Sequence, residues 1–249
     1  GRSFLERDFA ARLAACGTPP DKVGQTLQAI FADADRQQAH EILKLFKRVL
    51  DPDDLKYAID VGFKNLDPTV RLEVLSNLPV ADVERYQSTL LRGVKDKSKS
   101  VRSRVLHLLA RLRKKTVYDR LVGAMESKAF AEYELDEKRR FYAAAALTGG
   151  GTGRWTEQFK ANVLLSTKGQ DAVRHCAAVA LGILLHRDAL VMLEKETKRR
   201  LKYPLAAEGA SWAMQHMVCT REERTRQLYD LFHHGSLSGS NTNGEVKDV

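Results

Sequence analysis

The sequence is poor in the residues that build disulfide scaffolds, membrane spans and sheets. Three cysteines occur in 249 residues, Cys16, Cys176 and Cys219, with no Cys-x-x-Cys spacing. An odd, scattered set argues against a disulfide framework and fits a reducing compartment, so a cytoplasmic setting is expected. Each cysteine lies among small apolar residues of helical spacing, where a buried thiol packs as a small hydrophobe. Prolines number only six, three of them in turn-like positions (Pro52, Pro68, Pro204). Alternation of β-branched and polar residues over five or more positions is almost absent, which argues against strands. No stretch approaches the roughly 18 uninterrupted apolar residues of a membrane helix, so a soluble chain is expected. The start, Gly1 to Phe4, has no hydrophobic signal segment, and the first methionine is Met125. The expectation is therefore a piece of a longer polypeptide.

What is present is helical spacing from end to end, with 43% hydrophobic and 29% charged residues, the balance of a folded chain with a charged surface. Three segments share one layout: an apolar helix, a short polar turn, then Val-Arg opening a second helix. They read YAIDVGFKNLDPTVRLEVLSNL from Tyr57, STLLRGVKDKSKSVRSRVLHLLARL from Ser88 and ANVLLSTKGQDAVRHCAAVALGIL from Ala161. Arg71 and Arg102 lie 31 residues apart and Arg102 and Arg174 lie 72 apart, which leaves room for one more unit between the latter two. That unit is weaker: RLVGAMESKAF from Arg120, a longer connection from Ser127 to Glu134, and DEKRRFYAAAAL from Asp136. Flanking segments supply further pairs, for about six in all. A leading helix is expected over Phe4 to Ala15 and a last helix near Arg221 to Phe232.

This layout resembles the HEAT-like repeats over most of residues 36 to 217. The resemblance implies an all-α fold, an armadillo-like α-solenoid wound as a right-handed superhelix, in which helix pairs bury their apolar stripes only by stacking on neighbours. Residues 1–20 are expected to form a leading helix and turn, 21–234 the repeat array and 235–249 a disordered tail rich in Ser, Gly and Asn. Val101, Val105, Leu108, Leu109 and Leu112, on a helix read from Ser100 to Lys115, form one core-facing stripe. The Asp, Pro, Ser and Thr residues before each Val-Arg supply N-caps. Small residues, Ala143 to Ala146 and Ala177, Ala178 and Ala180, permit close helix approach. Arg71 and Arg174 follow Asp67 and Asp171 by four and three residues, and such arginines are expected in local or inter-repeat ion pairs.

The net charge of +9 is concentrated. Residues 91 to 120 hold eleven basic groups against Asp96 and Asp119, while the rest of the chain balances at 30 of each sign. Arg104, His107, Arg111 and Lys115 recur at steps of three and four and are expected to be exposed together, on the second-helix side that HEAT-like families use for contact. With Lys95, Lys97, Lys99 and Lys114 they form a basic patch suited to an acidic partner or a polyanion.

Other chemistry finds little support. Gly149 to Arg154 lacks the strand and the Gly-Lys-Ser/Thr ending of a phosphate loop and reads as a helix breaker. The seven histidines show no metal-ligand spacing, and neither a cofactor nor a catalytic residue is assigned. Some HEAT-like proteins are DNA glycosylases, which implies aromatic, carboxylate and arginine roles that Trp155, Trp212, Asp171 and Arg174 would have to fill. Others attach bilin chromophores, an activity no residue here singles out. The leading expectation is a non-catalytic scaffold for protein–protein interaction, followed by a nucleic-acid-binding domain and then by a glycosylase-like enzyme.

Overall fold

Helix-forming spacing becomes helix in every segment that a computed structural model describes, namely residues 34–49, 52–78, 80–149, 157, 159–160 and 171–237. Among the described residues the secondary structure is wholly helical, and no helix is long and apolar enough to cross a membrane. The chain divides into two compact units, Gly1–Val101 and Arg102–Val249. The expected leading helix and Cys16 lie outside the described residues, as do residues 150–156 and 238–249.

The first unit holds α1 (Arg36–Val49), α2 (Pro52–Gly62), α3 (Pro68–Ser76), a 3-10 segment (Val80–Tyr86) and α4 (Gln87–Gly93). Helix α1 packs on α2 and α3, and Leu43, Ile59, Val70, Val74 and Leu75 are wholly buried. The start of α3 follows its sequence directly. Asp67 is extended and accepts a 2.8 Å hydrogen bond from the Thr69 amide, and Pro68 sits at the first helical position, where no amide hydrogen is needed. Glu73 is buried and accepts from Arg36, His40 and Asn77, and these bonds hold its carboxyl below the usual range against the opposing effect of burial.

The unit boundary falls in the first turn of α5 (Lys99–Leu109). The second unit continues with α6 (Lys115–Met125), α7 (Lys128–Ala131), α8 (Leu135–Gly149), α9 (Asp171–Ile183), a 3-10 turn (Arg187–Ala189), α10 (Leu190–Thr197), α11 (Pro204–Val218) and α12 (Arg221–His233). The long fourth connection thus contains a helix of its own, α7. Helix α8 packs against α6, α9 and α12, and the most intimate contact is α9 on α11. That closeness is a matter of side-chain size. A Cβ on Gly182 would lie 2.6 Å from the Ala213 Cα, and one on Gly209 would lie 2.6 Å from the His175 carbonyl. Ala143 to Ala146, Ala177, Ala178 and Ala180 are all buried, as their small size anticipates.

The Val-Arg arginines pair across elements, not with the aspartates a turn away. Within the first unit Arg71 grips Asp96 with two bonds of 2.7 and 2.8 Å, and it also donates to the Asn65 and Leu66 carbonyls. Within the second, Arg102 is paired with Glu137 and lies 4.5 Å over the Tyr133 ring. Arg174 is paired with Glu196 and lies 4.2 Å over Tyr203. Their nearer aspartates are engaged elsewhere. Asp67 caps α3, and Asp171 accepts from the Leu205 and Ala206 amides, capping α11 from another helix.

Arg174 and Glu196 are 1% and 2% exposed, so removing one partner strands the other in a low-dielectric interior. Glu196→Ala is expected to cost about 3 kcal/mol of unfolding free energy. Glu194→Ala, which breaks only an exposed helix-surface pair with Lys198, is expected to leave the urea midpoint unchanged. Gly182→Ala should cost roughly 1–3 kcal/mol through overpacking of α9 on α11, read from the same denaturation curves.

Candidate anion-binding surface

The apolar stripe of α5 forms as its spacing dictates: Val101, Val105, Leu108, Leu109 and Leu112 are buried, and Leu106 joins them from a second face. The basic stripe beside it is interrupted. Helix α5 ends at Leu109, because the Arg111 and Leu112 amides bond back three residues to Leu108 and Leu109 and buried Leu112 pins the turn. Lys114 is extended and starts α6. Lys115 therefore belongs to the next helix, where it pairs with Asp119 at 2.6 Å, and does not continue the line through Arg104, His107 and Arg111.

The expectation of joint exposure is corrected as well. Arg111 and Lys115 are exposed, whereas Arg104 and His107 are half-buried and Lys114 is partly covered. In the first unit Lys95 and Lys97 are exposed in the turn after α4, and Lys99, at the start of α5, is partly covered. The cause of the burial around His107 is α12. The His107 ring stacks on Phe232 with centroids 5.4 Å apart and meets His233 edge-on at 4.8 Å. His233 in turn stacks on Tyr229 at 4.1 Å.

Helix α12 is built to end there. Thr220 and Glu223 form a reciprocal capping box at its start. Gly235, at φ 69°, closes its end with a hydrogen bond to the Leu231 carbonyl. Arg140 donates to the Phe232 carbonyl at 3.1 Å and to Asp136 at 2.8 Å, and Arg139 donates to the Gly235 carbonyl at 2.7 Å. Two guanidinium groups thus meet the negative end of the helix dipole. Gly235 and Leu237 are buried, so the first residues of the expected tail belong to the packed unit. Neither Arg139 nor the landing of α12 was singled out from the sequence, because these bonds join residues 92 and 96 positions apart.

The electrostatics of this corner are one-sided. The Arg104 Nε is buried without a hydrogen-bond acceptor. The Arg111 Nη2 lies 3.5 Å from the His107 Nε2. Burial first, then His233, Arg104 and Arg111, push the His107 pKa down to about 4. Burial lowers His233 too, followed by Arg104, His234, Arg140 and Arg111. Arg104 is lowered by burial and by Arg111. The charged groups that shift these three are cationic, and the nearby Asp136 is bonded to Arg140.

The remaining candidates take structural places. Trp212 is wholly buried and stacks on His216 at 4.6 Å, while Asp171 and Arg174 hold the contacts described above. Trp155 and the glycines after Gly149 lie outside the described residues. Cys176 is buried and its thiol is pushed up to about 12, chiefly by burial; Cys219 lies 3.6 Å from the Gln227 amide. Among the described residues no group of three or more His, Cys, Asp or Glu side chains is placed to hold a metal ion. A cleft of about 590 Å³ opens beside α7, lined by Tyr118, Phe130, Tyr142 and Phe159, a feature the weak fourth repeat did not announce.

His107 and His175 are each held near 4 against an ordinary 6.5, in both cases mainly by burial. The unfolded chain takes up these protons near pH 6.5 and the folded chain only near 4, so their contribution to stability is full above 6.5 and is lost as pH falls through that window. The urea midpoint should drop between pH 7 and pH 5, and His107→Phe, which keeps a ring against Phe232, should make that drop shallower. No protein-family model matches this sequence, and no curated protein does.

Proposed function

We propose that the chain is a non-catalytic binding scaffold, a HEAT-like stack of helix pairs whose basic surface takes up an acidic protein partner. The stacking is supported by the recurring arginine of each Val-Arg motif, which reaches a carboxylate 25, 35 or 22 residues onward and so ties each motif to the chain that follows it. The function rests on one observation above all. The whole charge excess lies in residues 91 to 120, and in the second unit its Arg104, Arg111, Arg113 and Arg120 stand exposed or half-exposed. Concentrated charge of one sign steers and holds partners of the other, with a strong dependence on salt.

A nucleic-acid partner is the second reading. It is favoured by Tyr229, an exposed ring on α12 with Arg226 and Arg221 beside it in a shallow depression, an arrangement suited to base stacking.

Replacing Arg104, Arg111 and Lys115 together by Glu tests both readings. The variant should elute from heparin at distinctly lower salt than the parent, with an unchanged helical circular-dichroism spectrum. Unchanged retention would overturn the surface assignment. Competition between a polyglutamate peptide and a single-stranded oligonucleotide then ranks the two partners.

A further inference from the structure

The corner formed by α5 and the end of α12 contains a cationic group with no evident structural purpose. Arg71, Arg102 and Arg174 each have a carboxylate, and Arg139 and Arg140 hold the end of α12. The Nε atoms of Arg104, Arg139 and Arg174 all lack an acceptor, but Arg139 and Arg174 are bonded through another guanidinium nitrogen. Among the described residues half-buried Arg104 makes no hydrogen bond or ion pair at all, and the charged group that bears on it is Arg111. A buried guanidinium nitrogen without an acceptor costs free energy, and placing further cations beside it costs more. Such an arrangement becomes favourable when an anion sits among the donors.

Resting on the basic-surface reading above, we infer that Arg104, Arg111, His107 and His233 form a site for a phosphomonoester group, carried by a phosphorylated protein partner. The donor set decides between oxyanions. Two guanidinium groups and two imidazoles, brought to one corner by α5 with its turn and by α12, offer donors for three oxygens, more than a carboxylate presents. A phosphomonoester is close to a dianion at neutral pH, whereas the phosphodiester of a nucleic acid carries a single charge. A dianion favours the protonated form of His107 and His233 more strongly than a single charge does. The groups facing His107 and His233 are Arg104 and Arg111 from α5 and its turn, Arg140 from α8, and His234; Asp136 of α8 is bonded to Arg140. Occupation of the site should therefore draw protons onto His107 and His233.

The test is calorimetric titration of the intact chain at pH 6.5. The probes are a phosphoserine peptide with Gly and Ser flanks, its unphosphorylated form, the same peptide with Glu in place of phosphoserine, and a single-stranded oligonucleotide. The phosphopeptide should bind about tenfold or more tightly than the Glu peptide. Its apparent enthalpy should change with the ionisation enthalpy of the buffer, which reports proton uptake. In proton NMR, inorganic phosphate should raise the His107 pKa. Arg104→Gln should weaken phosphopeptide binding about tenfold while leaving the thermal midpoint unchanged or higher, because it removes a cation from among cations. Exposed Arg111→Gln provides a second variant with no buried group at stake. The inference is overturned if the phosphopeptide binds no better than the Glu peptide, if Arg104→Gln binds it normally, or if the oligonucleotide binds more tightly and shifts His107 equally. Failure of the phosphopeptide, with heparin binding still lost in the triple Glu variant, would sink this site and leave the basic surface standing.

Discussion

Burying a guanidinium group is costly unless its charge is answered, and the arrangement of this protein turns on how that demand is met. Arg71, Arg102 and Arg174 are answered by carboxylates supplied from later in the chain, and two of them also lie over tyrosine rings. Each pair joins elements well apart along the chain, and removing one partner would leave the other's charge uncompensated. Arg139 and Arg140 are answered by carbonyls at the end of α12. The same requirement therefore serves both to join helices and to anchor the last one.

The anchoring of α12 reshapes the basic surface. It brings Phe232 and His233 onto His107 and turns an exposed basic stripe into a partly enclosed corner. Enclosure lowers the local dielectric and strengthens every interaction with a charge that enters. It also makes the unanswered Arg104 conspicuous, since a solvated arginine needs no partner and a half-buried one does. On the proposed reading, a surface that would attract polyanions diffusely would gain one position with defined donors, which is the difference between electrostatic steering and recognition.

Much of the fold was legible in the sequence because it depends on neighbours along the chain. The apolar positions of α5 are three and four residues apart and face the core as a stripe. Asp67 with Pro68, and Thr220 with Glu223, are helix-start signals that act within three residues. The alanines of α8 and α9 sit where helices approach closely. The basic excess of residues 91 to 120 was plain from counting, but its distribution was not. The end of α5 at Leu109 depends on the burial of Leu112, which an unbroken periodicity of charged residues concealed.

Helicity, the starts of several helices, the faces they bury and the place where positive charge accumulates all follow from spacing and local hydrogen bonding, and so could be read along the chain. Which buried arginines find partners was settled by packing, since the partners of Arg102 and Arg174 lie 35 and 22 residues away and the carbonyls held by Arg140 and Arg139 lie 92 and 96 away. Over such separations no periodicity constrains the outcome. A side chain's role is then set by what packing brings to it, and for Arg104 packing brought cover and like charge but no acceptor.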